Sequence, residues 1–285
     1  MPNRERAAHP GAHRRGAWFV RGTRGAAGLL LLLGMSGEVL AQDIRVHAAG
    51  SLRAALLETA QAFEAQRPGH KLVFQFGASG LLKDRLNAGE ASDVFASANM
   101  DHPRALQQAG KAGEVSRFAR NAMCLLVRPG LSVTPDTMVA QLLDPAIKLG
   151  TSTPKADPSG DYAWQVFERI EQSGHRGAFQ ALTGRALQLT GGPQSPPPPV
   201  GRSVYGVLVA EGQADVFMTY CTNAVVARRE QPGLQVVDVP ARYNVSADYG
   251  VVVMNAAPAP ARAYVDFLLA PAGQAVLARH GFAPR

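Results

Sequence analysis

Serine and glycine recur at four places where a helical pattern is about to begin. The segments are Ala49-Gly50-Ser51-Leu52, Gly77-Ala78-Ser79-Gly80, Asp157-Pro158-Ser159-Gly160 and Gly201-Arg202-Ser203. The first turn of a helix has backbone N–H groups without intrahelical partners and a partial positive charge. Several such helix ends directed at one point would bind an oxyanion without a metal and with little formal charge. These residues therefore predict oxyanion binding.

Hydroxyl groups add further hydrogen-bond donors to these segments. Each serine has an O–H besides its own N–H, and Tyr220, predicted at the end of a strand, adds a phenol. In an open α/β sheet, ligands bind beyond the carboxyl ends of the strands, where such helix starts lie. Taken singly, each serine is better explained as a helix N-cap, Tyr220 as a core residue and Arg202 as a surface residue. Their joint placement favours a binding site.

Enzymatic chemistry has weaker support in the sequence. Ser79 lies in Gly-Ala-Ser-Gly-Leu, which lacks the second glycine of the Gly-x-Ser-x-Gly nucleophile turn. The histidines after residue 41 form no His-Glu-x-x-His pattern, and the chain has no Walker loop or dinucleotide fingerprint. We therefore expect a binding protein and not an enzyme. A secreted hydrolase with Ser79 or Ser51 as its nucleophile is kept as the alternative from another class.

Residues 1–41 have the composition of a cleaved secretory signal peptide. Six arginines precede an apolar run from Ala26 to Met35, and Val39-Leu40-Ala41 provides small residues before a cleavage site. The apolar run is too short to span a bilayer comfortably. This leader contributes +4 of the formal net charge of +7, and the remaining +3 argues against a nucleic-acid-binding surface. We predict cleavage after Ala41 and a periplasmic location.

The remaining chain is long enough for two lobes, because about 244 residues exceed one typical core. Strand and helix patterns alternate twice, which indicates sheets covered by helices. The first unit runs through strands at Ile44–Ala49, Lys71–Phe76 and Asp93–Ala98, and the second starts with a strand at Ile147–Thr151. Apolar runs at Ala122–Val127 and Tyr249–Met254 are predicted to cross between lobes, and a last helix, Ala259–His280, breaks near Pro271. The predicted lobes are 42–122 with 245–285, and 123–244.

Two cysteines, Cys124 and Cys221, follow the predicted signal peptide. An oxidising compartment permits a disulfide between them. Each cysteine also lies in an apolar, strand-like run, where a buried free thiol is equally compatible. The sequence leaves these two alternatives open.

Longer motifs around the same residues resemble those of the periplasmic molybdate-binding proteins of ABC importers. The matching stretches are His47–Leu52, Phe76–Leu82, Ala91–Ala98, Asp157–Ala163, Gly212–Ala224 and Tyr264–Phe282. The resemblance implies the α/β fold of a type II periplasmic binding protein. Such a protein has two lobes, each with a mixed sheet, and two hinge crossings that let the lobes close over a tetrahedral oxyanion.

The resemblance also implies a ligand set and a partner. The implied ligand-binding residues are Ser51, Ser79, Ser159, Arg202 and Tyr220, with molybdate or tungstate as ligand, no cofactor and no metal bound directly by the protein. The implied partner is an ABC permease, and we expect a monomer. An insertion, Gly191–Val200, precedes Arg202, so Ser203 is the alternative donor there. An inward Arg202 side chain would favour sulfate or a small organic anion instead.

Overall fold

The structure is a computed structural model that describes residues 42–285, so the predicted signal peptide lies outside the described residues. The strands are β1 (Gln42–Ala49), β2 (His70–Gly77), β3 (Val94–Ser97), β4 (Ser116–Asn121), β5 (Met123–Val127), β6 (Leu149–Ser152), β7 (Leu187–Thr190), β8 (Val216–Tyr220), β9 (Gln235–Asp238) and β10 (Ala247–Val253). The helices are α1 (Arg53–Gln66), α2 (Ser79–Asn87), α3 (Asp101–Gln108), α4 (Met138–Leu143), α5 (Pro158–Gln172), α6 (Ala178–Arg185), α7 (Val204–Ala210), α8 (Cys221–Glu230), α9 (Ala259–Leu269) and α10 (Pro271–Arg279). A 3-10 turn, Gly50–Leu52, joins β1 to α1.

The described strands form two five-stranded sheets, and both sheets are mixed. The first has the order β2-β1-β3-β10-β4, with β1 parallel to β2 and β3 and with β10 antiparallel to β3 and β4. The second has the order β7-β6-β8-β5-β9, with β6 parallel to β7 and β8 and with β5 antiparallel to β8 and β9. The predicted α/β class with two mixed sheets is therefore confirmed.

The chain passes from the first sheet to the second and back again. Only Ala122 separates β4 in the first sheet from β5 in the second, and residues 239–246 lead from β9 back to β10. The first predicted crossing at Ala122–Val127 therefore includes the whole of β5, which is a buried strand of the second sheet. The boundaries assigned to the lobes stay predictions.

The C-terminal helices pack back on the first sheet, as the apolar face of the last helical pattern predicts. Phe63 of α1 is buried against Tyr264 and Phe267 of α9, with ring centroids 5.4 and 5.8 Å apart. Thr59 and Tyr264 share a buried hydrogen bond of 2.9 Å between their hydroxyl oxygens. The predicted break is present at Ala270, because Pro271 starts α10. None of the described helices is long and apolar enough to cross a membrane.

Cys124 and Cys221 form a disulfide, which decides between the two alternatives that the sequence leaves open. The bond joins β5 to the first residue of α8. Met123 and Tyr220, which precede the two cysteines, are partners in the antiparallel register of β5 and β8. The disulfide therefore fixes the backbone immediately next to Tyr220.

Candidate functional site

Three buried hydroxyl groups lie at the carboxyl ends of strands in the second sheet. Ser152 ends β6, Tyr220 ends the parallel neighbour β8, and Ser159 lies in the first turn of α5, which follows β6. Each side chain is nearly inaccessible. The hydroxyl oxygens of Ser159 and Tyr220 have no hydrogen-bond partner among the described residues, whereas the Ser152 hydroxyl faces Asp157 and Tyr205. Tyr162, one turn along α5, packs against Tyr220 with ring centroids 6.1 Å apart. Buried hydroxyls of this kind are costly unless a partner satisfies them.

The first sheet contributes Ser51 and Ser79. Ser51 lies in the 3-10 turn after β1, and its hydroxyl is 3.0 Å from the Tyr249 hydroxyl of β10. Ser79 is the first residue of α2, and its buried Oγ accepts a 3.1 Å hydrogen bond from the Ala98 N–H. A serine hydroxyl that accepts one bond still has its own proton to donate. Neither residue caps a helix, so the N-cap expected at Ser51 is wrong.

Several contacts join these two groups of hydroxyls. The rings of Tyr220 and Tyr249, which belong to different sheets, have centroids 5.5 Å apart. Near the starts of α2 and α5, the Gly80 N–H donates to the Ala156 carbonyl oxygen at 2.9 Å. Asn121 of β4 donates to the Thr222 hydroxyl of α8 at 2.9 Å. The structure therefore brings Ser51, Ser79, Ser159 and Tyr220 to the same interface between the two sheets.

The two phenols of this interface are held in their protonated form. Burial raises the pKa of Tyr220 well above its ordinary value, and the neighbouring Tyr249 acts in the same direction. Burial likewise raises the pKa of Tyr249, although the hydrogen bonds with Ser51 and Asn121 oppose this shift. A protonated phenol donates a hydrogen bond, whereas a phenolate would repel an anion. Near neutral pH the Tyr220 hydroxyl is therefore a hydrogen-bond donor.

Asp157 accepts hydrogen bonds from backbone N–H groups at the start of α5. Its side chain accepts from the Ser159 N–H at 3.1 Å, and its carbonyl oxygen accepts from the Gly160 N–H at 2.9 Å. The hydroxyl is then the group of Ser159 that has no partner of its own. Burial raises the pKa of Asp157 to about 6, and hydrogen bonds from the Ser159 N–H and the Ser152 hydroxyl oppose this shift. The sequence pattern of an aspartate before proline indicates an N-cap, and that part of its role could have been predicted.

Arg202 lies apart from the contacts that join the other four residues. It is exposed and precedes Ser203, the N-cap of α7, whose hydroxyl accepts from the Gly206 N–H at 3.3 Å. The Ser203 N–H donates to Glu230 at 2.7 Å, so neither of these Ser203 groups is free for an ion. A cavity of about 600 Å³ lies between the proline-rich loop and α7, and none of the five predicted site residues lines it. The role of Arg202 stays a prediction.

Two other kinds of site find no support in the described part of the chain. No histidine there is hydrogen-bonded to Ser51 or Ser79, as a hydrolase nucleophile would require. The one group of at least three potential metal ligands among residues 42–285 is Cys124, Cys221 and Asp238, and both of its sulfur atoms belong to the disulfide.

Comparison with known proteins shows extended similarity. The family described as bacterial extracellular solute-binding protein matches residues 44–283. Uncharacterized protein PM1146 of Pasteurella multocida is 37% identical over 243 residues, which cover 85% of this chain and 98% of that protein. The molybdate-binding protein ModA of Mycobacterium bovis is 30% identical over 262 residues, which cover 85% of each chain.

Two solved structures share the fold at lower sequence identity. The periplasmic molybdate-binding protein of Azotobacter vinelandii has a TM-score of 0.69 and 23% identity, covering 85% of this chain and 99% of that one. The sulfate-binding protein SubI of Mycobacterium tuberculosis has a TM-score of 0.71 and 21% identity, covering 85% of this chain and 87% of that one. The fold is therefore shared by proteins named for two different tetrahedral oxyanions.

Proposed function

Because this chain belongs to the family of bacterial extracellular solute-binding proteins, we propose that it captures molybdate in the periplasm and delivers it to an ABC permease. Tungstate, which has nearly the same size and charge, is proposed as a second ligand. The observation that carries the proposal is the pair of buried, unpartnered hydroxyls of Ser159 and Tyr220, which lie at the same interface as Ser51 and Ser79. The proposal includes export through residues 1–41 and a monomeric protein.

The proposed site works through neutral donors. Taking a dianion out of water is costly, so its oxygen atoms need hydrogen bonds inside the protein. Ser51 and Ser79 would donate from the first sheet, and Ser159 and Tyr220 from the second. An ion that bridges both sheets stabilises the closed arrangement over an open one, so that binding shifts the population toward closure. A permease would then recognise the closed form.

The same donors give a basis for selectivity. A site whose hydroxyls all donate to the ion disfavours hydrogen phosphate, because a hydroxyl that accepts from the O–H of that ion no longer donates its own proton to it. Sulfate is a smaller tetrahedron, so some donors would be under-satisfied around it. Molybdate and tungstate should bind with similar affinity.

Isothermal titration of the protein purified from the periplasm tests the proposal directly. We expect tight binding of molybdate and tungstate, and little response to sulfate and phosphate. Tyr220→Phe should weaken molybdate binding by about 10- to 150-fold, because a hydrogen bond to a charged group contributes about 1.5–3 kcal/mol. Tyr264→Phe is the matched control, since it removes a buried hydroxyl that bonds only to Thr59 among the described side chains. The absence of molybdate and tungstate binding would refute the proposed ligand.

An Arg202→Ala variant in the same titrations tests the prediction at that position. This change keeps the backbone N–H and removes the guanidinium group. An unchanged affinity for molybdate would mean that the guanidinium group does not contribute and that only the backbone of Arg202 can contact the ion. If the wild type binds sulfate and the variant does not, the guanidinium group recognises the ion and the site is a sulfate receptor.

A further inference from the structure

Asp157 is a carboxylate placed among groups that otherwise donate hydrogen bonds. Its Oδ1 accepts from the Ser159 N–H at 3.1 Å, beside the unpartnered Ser159 hydroxyl. On its other side it packs against Gly191, where an added Cβ would lie only 2.6 Å from the Asp157 Oδ2 and Cβ atoms. This close packing confines the carboxylate to its position at the start of α5.

No cation offsets the charge of Asp157 among the described residues. The ionisable groups whose charges couple to it are Asp161 on α5, Tyr205 on α7 and Tyr220 at the end of β8. The charge of Lys155, in the preceding loop, acts on Asp161 and is not among the causes of the pKa shift of Asp157. Gly191, which faces it from the loop after β7, has no side chain. When an oxyanion binds nearby, its negative charge therefore repels an ionised Asp157, and no lysine or arginine of the described residues offsets this repulsion.

We propose that Asp157 is an internal anion of the site, which holds the Ser159 N–H until an oxyanion binds and then takes up a proton from solvent. This proposal rests on the proposed function. The bound dianion and the ionised carboxylate compete for the same N–H and repel each other. Protonation removes the repulsion and weakens the hydrogen bond from the Ser159 N–H to the carboxyl, so that this N–H can donate to the ion. The transferred proton comes from water or buffer, and no covalent bond to the ligand forms.

The expected signature is an affinity that falls as the pH rises. Asp157 is half-buried, and its burial raises the pKa to about 6, so the carboxyl is half ionised at pH 6 and almost fully ionised at pH 8. If the bound state keeps the proton, molybdate binds up to about 50-fold more weakly at pH 8 than at pH 6, and about one proton is taken up per ion at pH 7. A site of neutral donors alone would show no such dependence across this range, where molybdate stays a dianion.

Titrations of the wild type with micromolar molybdate at pH 6, 7 and 8 test this inference. Each pH is measured in two buffers with different enthalpies of ionisation, so that the heat reports proton uptake without any substitution. Asp157→Asn should bind with an affinity that is nearly independent of pH, and more tightly than the wild type at pH 8. Asp161→Asn is the matched control, because it removes the other carboxylate of the α5 first turn. It should keep a dependence on pH, moved to lower pH because the charge of Asp161 raises the pKa of Asp157.

The outcomes separate this inference from the proposed function. Wild-type binding that changes by less than about twofold between pH 6 and 8, without proton uptake, would overturn the role of Asp157 while leaving molybdate as the ligand. An Asp157→Asn variant that keeps the wild-type dependence would overturn it equally. Phosphate bound more tightly than molybdate at pH 8 would show that Asp157 stays ionised and accepts a ligand O–H, which would also overturn its protonation on binding. No binding of molybdate at any pH would refute the proposed function, and this role with it.

Discussion

Gly80 lies where the first-sheet half of the molecule meets the second. It belongs to α2, which packs on the first sheet, and its N–H donates to the Ala156 carbonyl oxygen in the loop after β6. A Cβ at this position would lie 2.4 Å from the Lys155 oxygen and 2.7 Å from the Ala156 oxygen. Both atoms belong to the backbone and cannot rotate away. Gly80→Ala therefore forces the two halves apart at this contact.

The cost can be estimated from these contacts. Relieving the overlap moves the backbones apart by roughly 1 Å, which breaks the 2.9 Å hydrogen bond and loses about 1 kcal/mol. Residual overpacking adds at least about 1 kcal/mol. An open arrangement avoids the overlap, so the penalty falls on the closed form. A penalty of about 2 kcal/mol weakens molybdate binding by roughly 30-fold.

The assay combines titration calorimetry with small-angle X-ray scattering. We expect molybdate to reduce the radius of gyration of the wild type, and to do so less in Gly80→Ala at equal saturation. Gly184→Ala is the matched control, because Gly184 is also helical and an added Cβ would meet nothing within 4 Å. A Gly80→Ala protein that binds molybdate within twofold of the wild type and closes fully would refute the assignment of this contact to closure.

Two further predictions concern the surroundings of the site. Replacing both Cys124 and Cys221 by serine should lower the free energy of unfolding by about 2–4 kcal/mol, because the disulfide closes a loop between residues 97 apart. Urea unfolding of the wild type and the variant, with and without reductant, measures this loss. Equal urea midpoints for the oxidised wild type and the variant would contradict it. Ser203→Ala should lower the free energy of unfolding by about 1 kcal/mol, because it removes the N-cap of α7, and should leave the molybdate affinity unchanged. A clear loss of affinity in calorimetry would instead place the start of α7 in the site.

Local sequence patterns predict the elements that carry the serines, because the residues that shape those elements are close in sequence. The strand at Ile44–Ala49, the helix after it and the helix that starts at Ser79 all appear in the structure. The short elements α3, α4, α6 and β7, and strand β4, were not predicted. Strand β4 depends on distant partners, since it pairs with β10 and Arg120 bridges to Ala283. Such contacts leave no periodic signal in a short polar segment.

At the candidate site, the residue types could be predicted. Which of their donor groups already bond to the protein, and which are left for an ion, could not. Ser51, Ser79, Ser159 and Tyr220 come together at one interface, as their positions at equivalent junctions indicate. Ser152 was missed because nothing in Thr151-Ser152-Thr153 distinguishes it from an ordinary strand residue. Its position becomes visible only when the hydroxyl proves to be buried beside Asp157 and Tyr205. Burial and partnership are tertiary properties, and a single sequence does not contain them.

Some backbone N–H groups near the candidate site already donate to the protein itself, and this changes how the site can select an ion. The Ser159 and Gly160 N–H groups bond to Asp157, and the Ser203 N–H bonds to Glu230. The side-chain donors left without partners are hydroxyls, which rotate about their C–O bonds and adapt to ions of different size more readily than fixed N–H groups. Rejection of the smaller sulfate ion must then depend on the distance between the serines of the first sheet and the donors of the second. The Gly80–Ala156 contact is one of the contacts that hold the two sheets at that distance, and we therefore expect Gly80→Ala to reduce the preference for molybdate over sulfate as well as the affinity.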